Sequence, residues 1–461
     1  MNIEQIYTGC LAQGAYYITS QGQAAIIDPL REIKPYLSRL QKDNCTLKYI
    51  FETHFHADFV SGHIDLSKST GAPIVYGPDA ACEFDCISAA DGQEFKIGDI
   101  TIKVLHTPGH TLESTTYLLK DEAGKDYCIF SGDTLFLGDV GRPDLAQKAA
   151  HMTQEELAGL LYESLQTKIL PLADDVIVYP AHGAGSACGK NMMKQTIDTL
   201  GNQKKVNYAL NQPNKEAFIK AVTEGLLPPP AYFPQNVSMN KKGYRSFEEV
   251  LNQGMTALAP DEFERMADDH GAILLDTRRA NDFIQAFIPQ SINIGLKGDF
   301  APWVGALMED VNQPILLITI NGEEAETVTR LSRVGFDHVI GHLKGGIEAW
   351  IKAGKEVDSI TRVQVDELKN TMNAPDSHII DIRRESEFEE GHVRGAKNLP
   401  LSNINDWIMD INPKDHYFIH CRGGYRSMIA ASILQARGYR NFSEIEGGID
   451  AMQQVMPIEY N

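Results

Sequence analysis

Thr53-His54-Phe55-His56-Ala57-Asp58-Phe59, continuing as Val60-Ser61-Gly62-His63, decides the reading of the first half of this chain. The apolar run Leu47-Lys48-Tyr49-Ile50-Phe51 just before it reads as a buried strand, so the histidines stand where a strand gives way to a loop. Two imidazoles one residue apart, with a carboxylate two further on, converge on a metal ion without help from distant segments.

Working outward, the same arrangement recurs. Ile100-Thr101-Ile102-Lys103-Val104-Leu105 ends at His106-Thr107-Pro108-Gly109-His110, and Tyr127-Cys128-Ile129-Phe130 at Ser131-Gly132-Asp133. Asp175-Val176-Ile177-Val178-Tyr179 ends at Pro180-Ala181-His182-Gly183. Four strand ends each deliver a His or Asp, and Gly or Pro beside three of them permits a sharp turn. Four independent capping coincidences are improbable, so one metal centre is expected.

Motif for motif this resembles the metallo-β-lactamase superfamily, over residues 1 to about 250. The resemblance implies an αββα sandwich with the metal at one edge of its two sheets. Most of that superfamily holds two zinc ions, and the second normally uses a histidine directly after the motif's aspartate. Here that residue is Phe59, which cannot ligate a metal. His54, His110 and Asp133 remain, two imidazoles and one carboxylate, the facial set that favours non-haem Fe(II). By resemblance this is the persulfide dioxygenase branch, with one Fe(II) per chain on those three positions and zinc as the alternative occupant. Gly141-Arg142-Pro143-Asp144 also looks like that branch. His56, Asp58 and His182 are then expected to orient ligands or bound water by hydrogen bonds. Arg142 is a candidate for a thiol carrier's carboxylate or for pairing with a local Asp. Cys188, close in sequence to His182, is a second substrate-binding candidate. His63 and His106 are expected to be core or turn histidines.

Leu227-Pro228-Pro229-Pro230-Ala231-Tyr232-Phe233-Pro234 interrupts a polar helical region and reads as the start of a linker. Beyond it lies an internal repeat. Ile273-Leu274-Leu275-Asp276-Thr277-Arg278-Arg279 is echoed by His378-Ile379-Ile380-Asp381-Ile382-Arg383-Arg384, and Gly345-Gly346-Ile347 by Gly447-Gly448-Ile449. Each copy alternates strand and helix over about a hundred residues, as small parallel-sheet α/β domains do. Only the second has a cysteine at a strand end, in His420-Cys421-Arg422-Gly423-Gly424-Tyr425-Arg426-Ser427. Glycines that turn N–H groups inward, two arginines and a following helix favour a thiolate there. Four residues separate Cys421 from Arg426, a tighter loop than the five that surround a phosphate, and the module resembles a rhodanese, in which this cysteine carries a persulfide. The first copy reads Thr319-Ile320-Asn321-Gly322-Glu323-Glu324 at that point and is expected to be an inactive, pseudo-rhodanese domain.

The expected class is therefore a multidomain α/β and α+β protein. It comprises a metallo-β-lactamase-fold domain with helical extension (1–250), an inactive rhodanese-like domain (251–357) and an active one (358–461). The whole resembles fused persulfide dioxygenase and tandem rhodanese proteins of bacterial sulfide detoxification. That implies a small-molecule thiol persulfide, O2, and sulfite or thiosulfate as partners, with Cys421, Arg422 and Arg426 as catalytic residues. A zinc-dependent thioester hydrolase of glyoxalase II type carrying a sulfurtransferase module is the alternative. A homo-oligomer is expected.

Composition agrees with this class. The 461 residues are 43% apolar and 23% charged, as in globular proteins. A net charge of -20 repels nucleic acid and anionic lipid, so neither nucleic acid nor a membrane is an expected partner. No basic leader and no apolar run of bilayer length is present, which points to a cytoplasmic protein. Seven scattered cysteines, an odd number, do not resemble a disulfide framework. Cys82 and Cys86, four apart, could face one another on a helix and are expected to be structural neighbours, not metal ligands.

Overall fold

The computed structural model describes residues 1–371 and 377–460. It divides into two compact units, Met1–Phe247 with Ser332–Gly335, and Glu248–Leu331 with Phe336–Asn461.

The first unit contains two six-stranded sheets. In one, Asn2–Thr8, Gln13–Ser20 and Gln23–Ile27 are antiparallel, and Thr46–Phe51, Ile74–Tyr76 and Ile87–Ser88 follow in parallel. In the other, Glu94–Ile97, Ile100–His106, Thr115–Lys120 and Asp126–Gly132 are antiparallel neighbours, Ile177–Pro180 runs parallel to the last, and Asp198–Thr199 pairs antiparallel with it at the edge. Period-two alternation sends every second side chain into the space between the sheets. From Gln13–Ser20, for example, Tyr16 and Ile18 join the central core, whereas Ala15 and Tyr17 face outward under helices. The helix Lys34–Lys42 covers the first sheet with Tyr36 and Leu40, and Gln154–Ser164 covers the second with Ala158 and Leu161. The expected αββα sandwich is observed.

Phe51 is fully buried at the centre, its ring 4.8 Å from Tyr117 and 5.5 Å from Phe95. Phe51→Ala is expected to destabilise this unit by about 3–5 kcal/mol. Amide hydrogen exchange should accelerate in Thr46–Phe51 and Thr115–Lys120; unchanged exchange would refute a central role. Trp303, Trp350 and Trp407 all lie in the second unit, so their fluorescence reports that unit separately.

The second unit contains two five-stranded parallel sheets with one order. Ala257–Leu258, Val339–Leu343, Ile315–Ile318, Ile273–Asp276 and Ile292–Asn293 form the first. Arg362–Val363, Phe442–Ile445, His416–His420, Ser377–Asp381 and Lys397–Asn398 form the second. The repeat extends to atoms. Arg278 pairs with Asp276 and donates to the Ala286 carbonyl, as Arg383 pairs with Asp381 and donates to that of Gly391. Asn293 and Asn398 each donate to two carbonyls of their own Asp-x-Arg turn. Among the described residues, no helix is long and apolar enough to cross a membrane.

Two expectations need correction in the first unit. Cys82 and Cys86 are structural neighbours as expected, but they lie in an irregular loop, not on a helix, and form a disulfide. The presumed linker after Leu227 contains the helix Phe233–Lys242, with Pro234 in its first turn. Proline's missing N–H costs nothing there, because first-turn N–H groups have no partner within the helix.

Candidate functional site

Strand ends of both sheets carry His54, His110 and Asp133 to one buried point, with donor atoms of all three within 4.8 Å of one another. Nε2 of His54 lies 3.8 Å from Asp133 Oδ2, and Nε2 of His110 lies 3.4 Å from it. These spacings exceed hydrogen bonds, yet they suit ligands that share one ion at roughly 2.0–2.2 Å each. Asp133 Oδ2 is buried and has no hydrogen-bond partner, as a ligand oxygen aimed at an ion would be.

Each imidazole is oriented through its far nitrogen. His54 Nδ1 lies 3.0 Å from Thr53 Oγ1, which donates to Asp28 at 2.9 Å. His110 Nδ1 lies 2.8 Å from the Arg142 carbonyl. With those nitrogens protonated, Nε2 of both rings presents a lone pair toward Asp133. Burial, reinforced by His56, holds His54 well below its ordinary pKa and so neutral. For Asp133, burial acts upward, but His182, His54 and His110 prevail and keep it ionised. The fold and these His/Asp groups thus suggest a metal cofactor.

His182 lies between two carboxylates, Nδ1 at 2.8 Å from Asp133 Oδ1 and Nε2 at 2.8 Å from Asp58 Oδ2. Burial opposes its charge, but the two anions raise its pKa well above the ordinary value. His56 turns away from the three, toward Asp28 at 3.1 Å and Glu52 at 3.6 Å. Phe59 is fully buried, its ring 4.3 Å from that of His56. Cys188 is buried with its sulfur within 4.8 Å of donor atoms of Asp58 and His182, and burial pushes its thiol pKa well up. All three side-chain nitrogens of Arg142 are engaged inside the protein, by Asp144 at 2.7 and 2.8 Å and by the Ala187 and Leu227 carbonyls. His63 is a core residue against Tyr76 and Tyr244, its pKa lowered by burial to about 3. His106 is partly buried and meets the Leu112 carbonyl.

Three supporting residues escaped the sequence reading. Asp28 also accepts from the Thr53 backbone N–H, a position reached through its positive φ of 48°. Glu52 accepts from Ser61 Oγ at 2.6 Å, and burial, then Asp28, raises its pKa well above the usual carboxyl range. Asn240 donates to the His56 and Phe59 carbonyls and accepts from Ser61 N–H, so the helix after the proline run braces the histidine loop. Strand-end Asp-Pro at Asp28-Pro29 was a visible signal; Asn240, some 180 residues downstream, gave none.

In the second unit, Cys421 follows the strand His416–His420 and precedes the helix Tyr425–Ala436. Gly424, at φ 107°, turns its N–H to Cys421 Sγ at 3.2 Å. Arg426 forms a bidentate pair with Glu387 at 2.6 and 2.8 Å, which lowers the Glu387 pKa to about 2. Arg422 is exposed and lies 3.4 Å from Asp450. Both arginines sit on the cysteine loop, each facing a carboxylate of its own unit.

Comparison with known proteins places these parts in families. The rhodanese-like domain matches residues 259–353 and 364–454, and the metallo-beta-lactamase superfamily matches residues 8–85. The chain is a metallo-β-lactamase domain fused to tandem rhodanese-like domains. A metallo-beta-lactamase from Staphylococcus aureus subsp. aureus COL shares this fold, 29% identical with a TM-score of 0.66 over 75% of this chain and 99% of its own. The persulfide dioxygenase ETHE1 of Homo sapiens is 28% identical over 222 residues, 48% of this chain and 79% of that protein. A hydroxyacylglutathione hydrolase of Tolumonas auensis is 34% identical over 171 residues, 36% of this chain. The fusion protein spans only 60% of that hydrolase's length.

Proposed function

We propose that the metallo-β-lactamase domain oxidises a low-molecular-weight thiol persulfide with O2, and that Cys421 exchanges sulfane sulfur with its substrate or product. His54, His110 and Asp133 would hold one Fe(II). Bound there, Fe(II) would supply one-electron chemistry toward O2 and a site for the substrate's sulfur. The chain's own groups prepare that site. Thr53 and the Arg142 carbonyl fix the imidazole tautomers, and His182 occupies one oxygen of Asp133 so that the other stays free. Burial of all three donors limits bulk water. One O2 and one water per persulfide give one thiol, one hydrogensulfite and one proton. Attack of sulfite on a Cys421 persulfide would give thiosulfate and return the thiolate.

Phe59 carries this reading over two-metal hydrolysis, because a buried phenyl ring stands where the second ion's histidine is expected. The test is persulfide-dependent oxygen uptake by iron-loaded and zinc-loaded protein. Uptake only with iron is expected; no uptake in either form refutes the proposal. Phe59→His is expected to raise bound zinc from about one toward two per chain, measured by elemental analysis, and to lower the oxygen-uptake rate. Unchanged stoichiometry would count against this role for Phe59.

Zinc-dependent thioester hydrolysis is the second reading. The hydroxyacylglutathione hydrolase match favours it, as does the second buried donor group of Asp58, His182 and Cys188. Hydrolysis of an acyl-glutathione without oxygen would establish it.

A further inference from the structure

A half-open cleft of about 490 Å3 is lined by both rhodanese-like repeats, within the roughly 300–1,000 Å3 range of small-molecule sites. Its walls come from both copies. The cysteine-bearing repeat contributes Gly423, Gly424 and Tyr425 of the Cys421 loop, and the cysteine-free repeat contributes Arg279, Lys297 and Glu323. A Cβ on Gly423 would meet nothing within 4 Å, so this side of the loop opens on free space.

The cysteine-free repeat is anchored directly to the nucleophile's loop and helix. Tyr425 Oη donates to the Gly295 carbonyl at 2.8 Å, and its ring lies so close to Gly298 that a Cβ there would come within 2.9 Å of it. Asn293 N–H donates to Ser432 Oγ, on the helix that starts at Tyr425.

Charges on the cavity wall are unequally satisfied. Lys297 lies 3.2 Å from Glu323, and Arg362 pairs with Glu444 at 2.6 Å and donates to Asn281 at 2.7 Å. The Arg279 guanidinium, by contrast, is exposed and makes no hydrogen bond or ion pair with another described residue. An uncommitted planar guanidinium beside a reactive loop is suited to bidentate capture of a carboxylate. Ile320, 37% exposed, adds an apolar surface.

We infer that this cavity binds the carboxylate-bearing body of a low-molecular-weight thiol that exchanges sulfane sulfur at Cys421, with Arg279 of the cysteine-free repeat as its anion-binding group. The inference rests on the proposed sulfur transfer and gives the inactive repeat a task beyond packing. In the exchange, the bound thiolate attacks the outer sulfur of a Cys421 persulfide. A bond forms between the acceptor's sulfur and that atom, and the bond to Cys421 Sγ breaks. The electron pair leaves on the Cys421 thiolate, so no external oxidant or reductant is required.

The test uses the full chain, with thiosulfate as sulfur donor and γ-glutamylcysteine, uncharged 2-mercaptoethanol or cyanide as acceptor. Arg279→Ala should raise the KM for γ-glutamylcysteine about tenfold, as expected for loss of a charge-assisted contact at a partly open site. The KM for 2-mercaptoethanol should move less than twofold, and Arg279→Lys should be intermediate. Arg279 is exposed, so its replacement leaves the core untouched. Equal KM changes for both thiols, or no change for either, overturn the inference alone. Absence of thiocyanate from wild-type protein with thiosulfate and cyanide overturns the sulfur-transfer reading and this inference with it.

Discussion

Asp133→Ala protein is expected to be purified with less than about a tenth of the wild-type metal and to lose persulfide-dependent oxygen uptake by more than about a hundredfold. Loss of a group that merely orients a ligand already costs roughly 10–100-fold in affinity or activity, and a direct ligand should cost more. Oδ2 of Asp133 is the atom both imidazoles face, buried and with no hydrogen bond of its own. Deleting it leaves two imidazoles and no carboxylate. His182→Gln provides the graded comparison, because His182 meets only the opposite oxygen, Oδ1, at 2.8 Å. That variant should keep measurable iron and lose activity within the roughly 10–100-fold range. Elemental analysis and an oxygen electrode read both proteins. If Asp133→Ala retains full iron, the ligand assignment fails. If His182→Gln loses as much iron as Asp133→Ala, His182 belongs among the ligands.

How far this centre could be read without coordinates depends on where each residue gets its position. His54, His110, Asp133 and His182 follow directly from strands, and a strand's end is visible as the end of an apolar run. The roles of Asp28 and Glu52 depend on side chains folding back beside that loop, and of these only the turn at Asp28-Pro29 had a local sign. Asn240 reaches the histidine loop from a helix that follows a proline-rich stretch, and composition suggested the opposite of packing there. The arginines show the same limit. The loop's four-residue spacing puts Arg426 near Cys421, but its partner Glu387 comes from a segment 39 residues earlier. The repeat was legible down to individual turns, since Asp276 and Arg278 recur as Asp381 and Arg383 with matching ion pairs. The cavity between the copies was not, because a sequence repeat says that two units are alike and nothing about which faces meet.

Cys421→Ser should abolish thiocyanate formation from thiosulfate and cyanide, a fall of more than about a thousandfold, while persulfide-dependent oxygen uptake continues. A cysteine sulfur is a far stronger nucleophile toward sulfane sulfur than a serine hydroxyl. Gly424 N–H donates to Cys421 Sγ at 3.2 Å, and the helix Tyr425–Ala436 stands immediately behind it. Serine also cannot hold sulfane sulfur as a persulfide, so even a deprotonated oxygen would not substitute. The other repeat offers no substitute either, because Asn321-Gly322-Glu323-Glu324 stands at the corresponding turn and contains no thiol. Oxygen uptake should survive because Cys421 and the His54, His110 and Asp133 group belong to different compact units. Supplied with a ready-made thiol persulfide, the first unit should release sulfite in place of thiosulfate, and product analysis by ion chromatography distinguishes the two. Continued thiocyanate formation by Cys421→Ser would move the sulfur-carrying role to another cysteine, with Cys188 the first to replace. Loss of oxygen uptake together with thiocyanate formation would mean instead that persulfide reaches the first unit by way of Cys421, making sulfur transfer the supply of the oxidation and not its sequel.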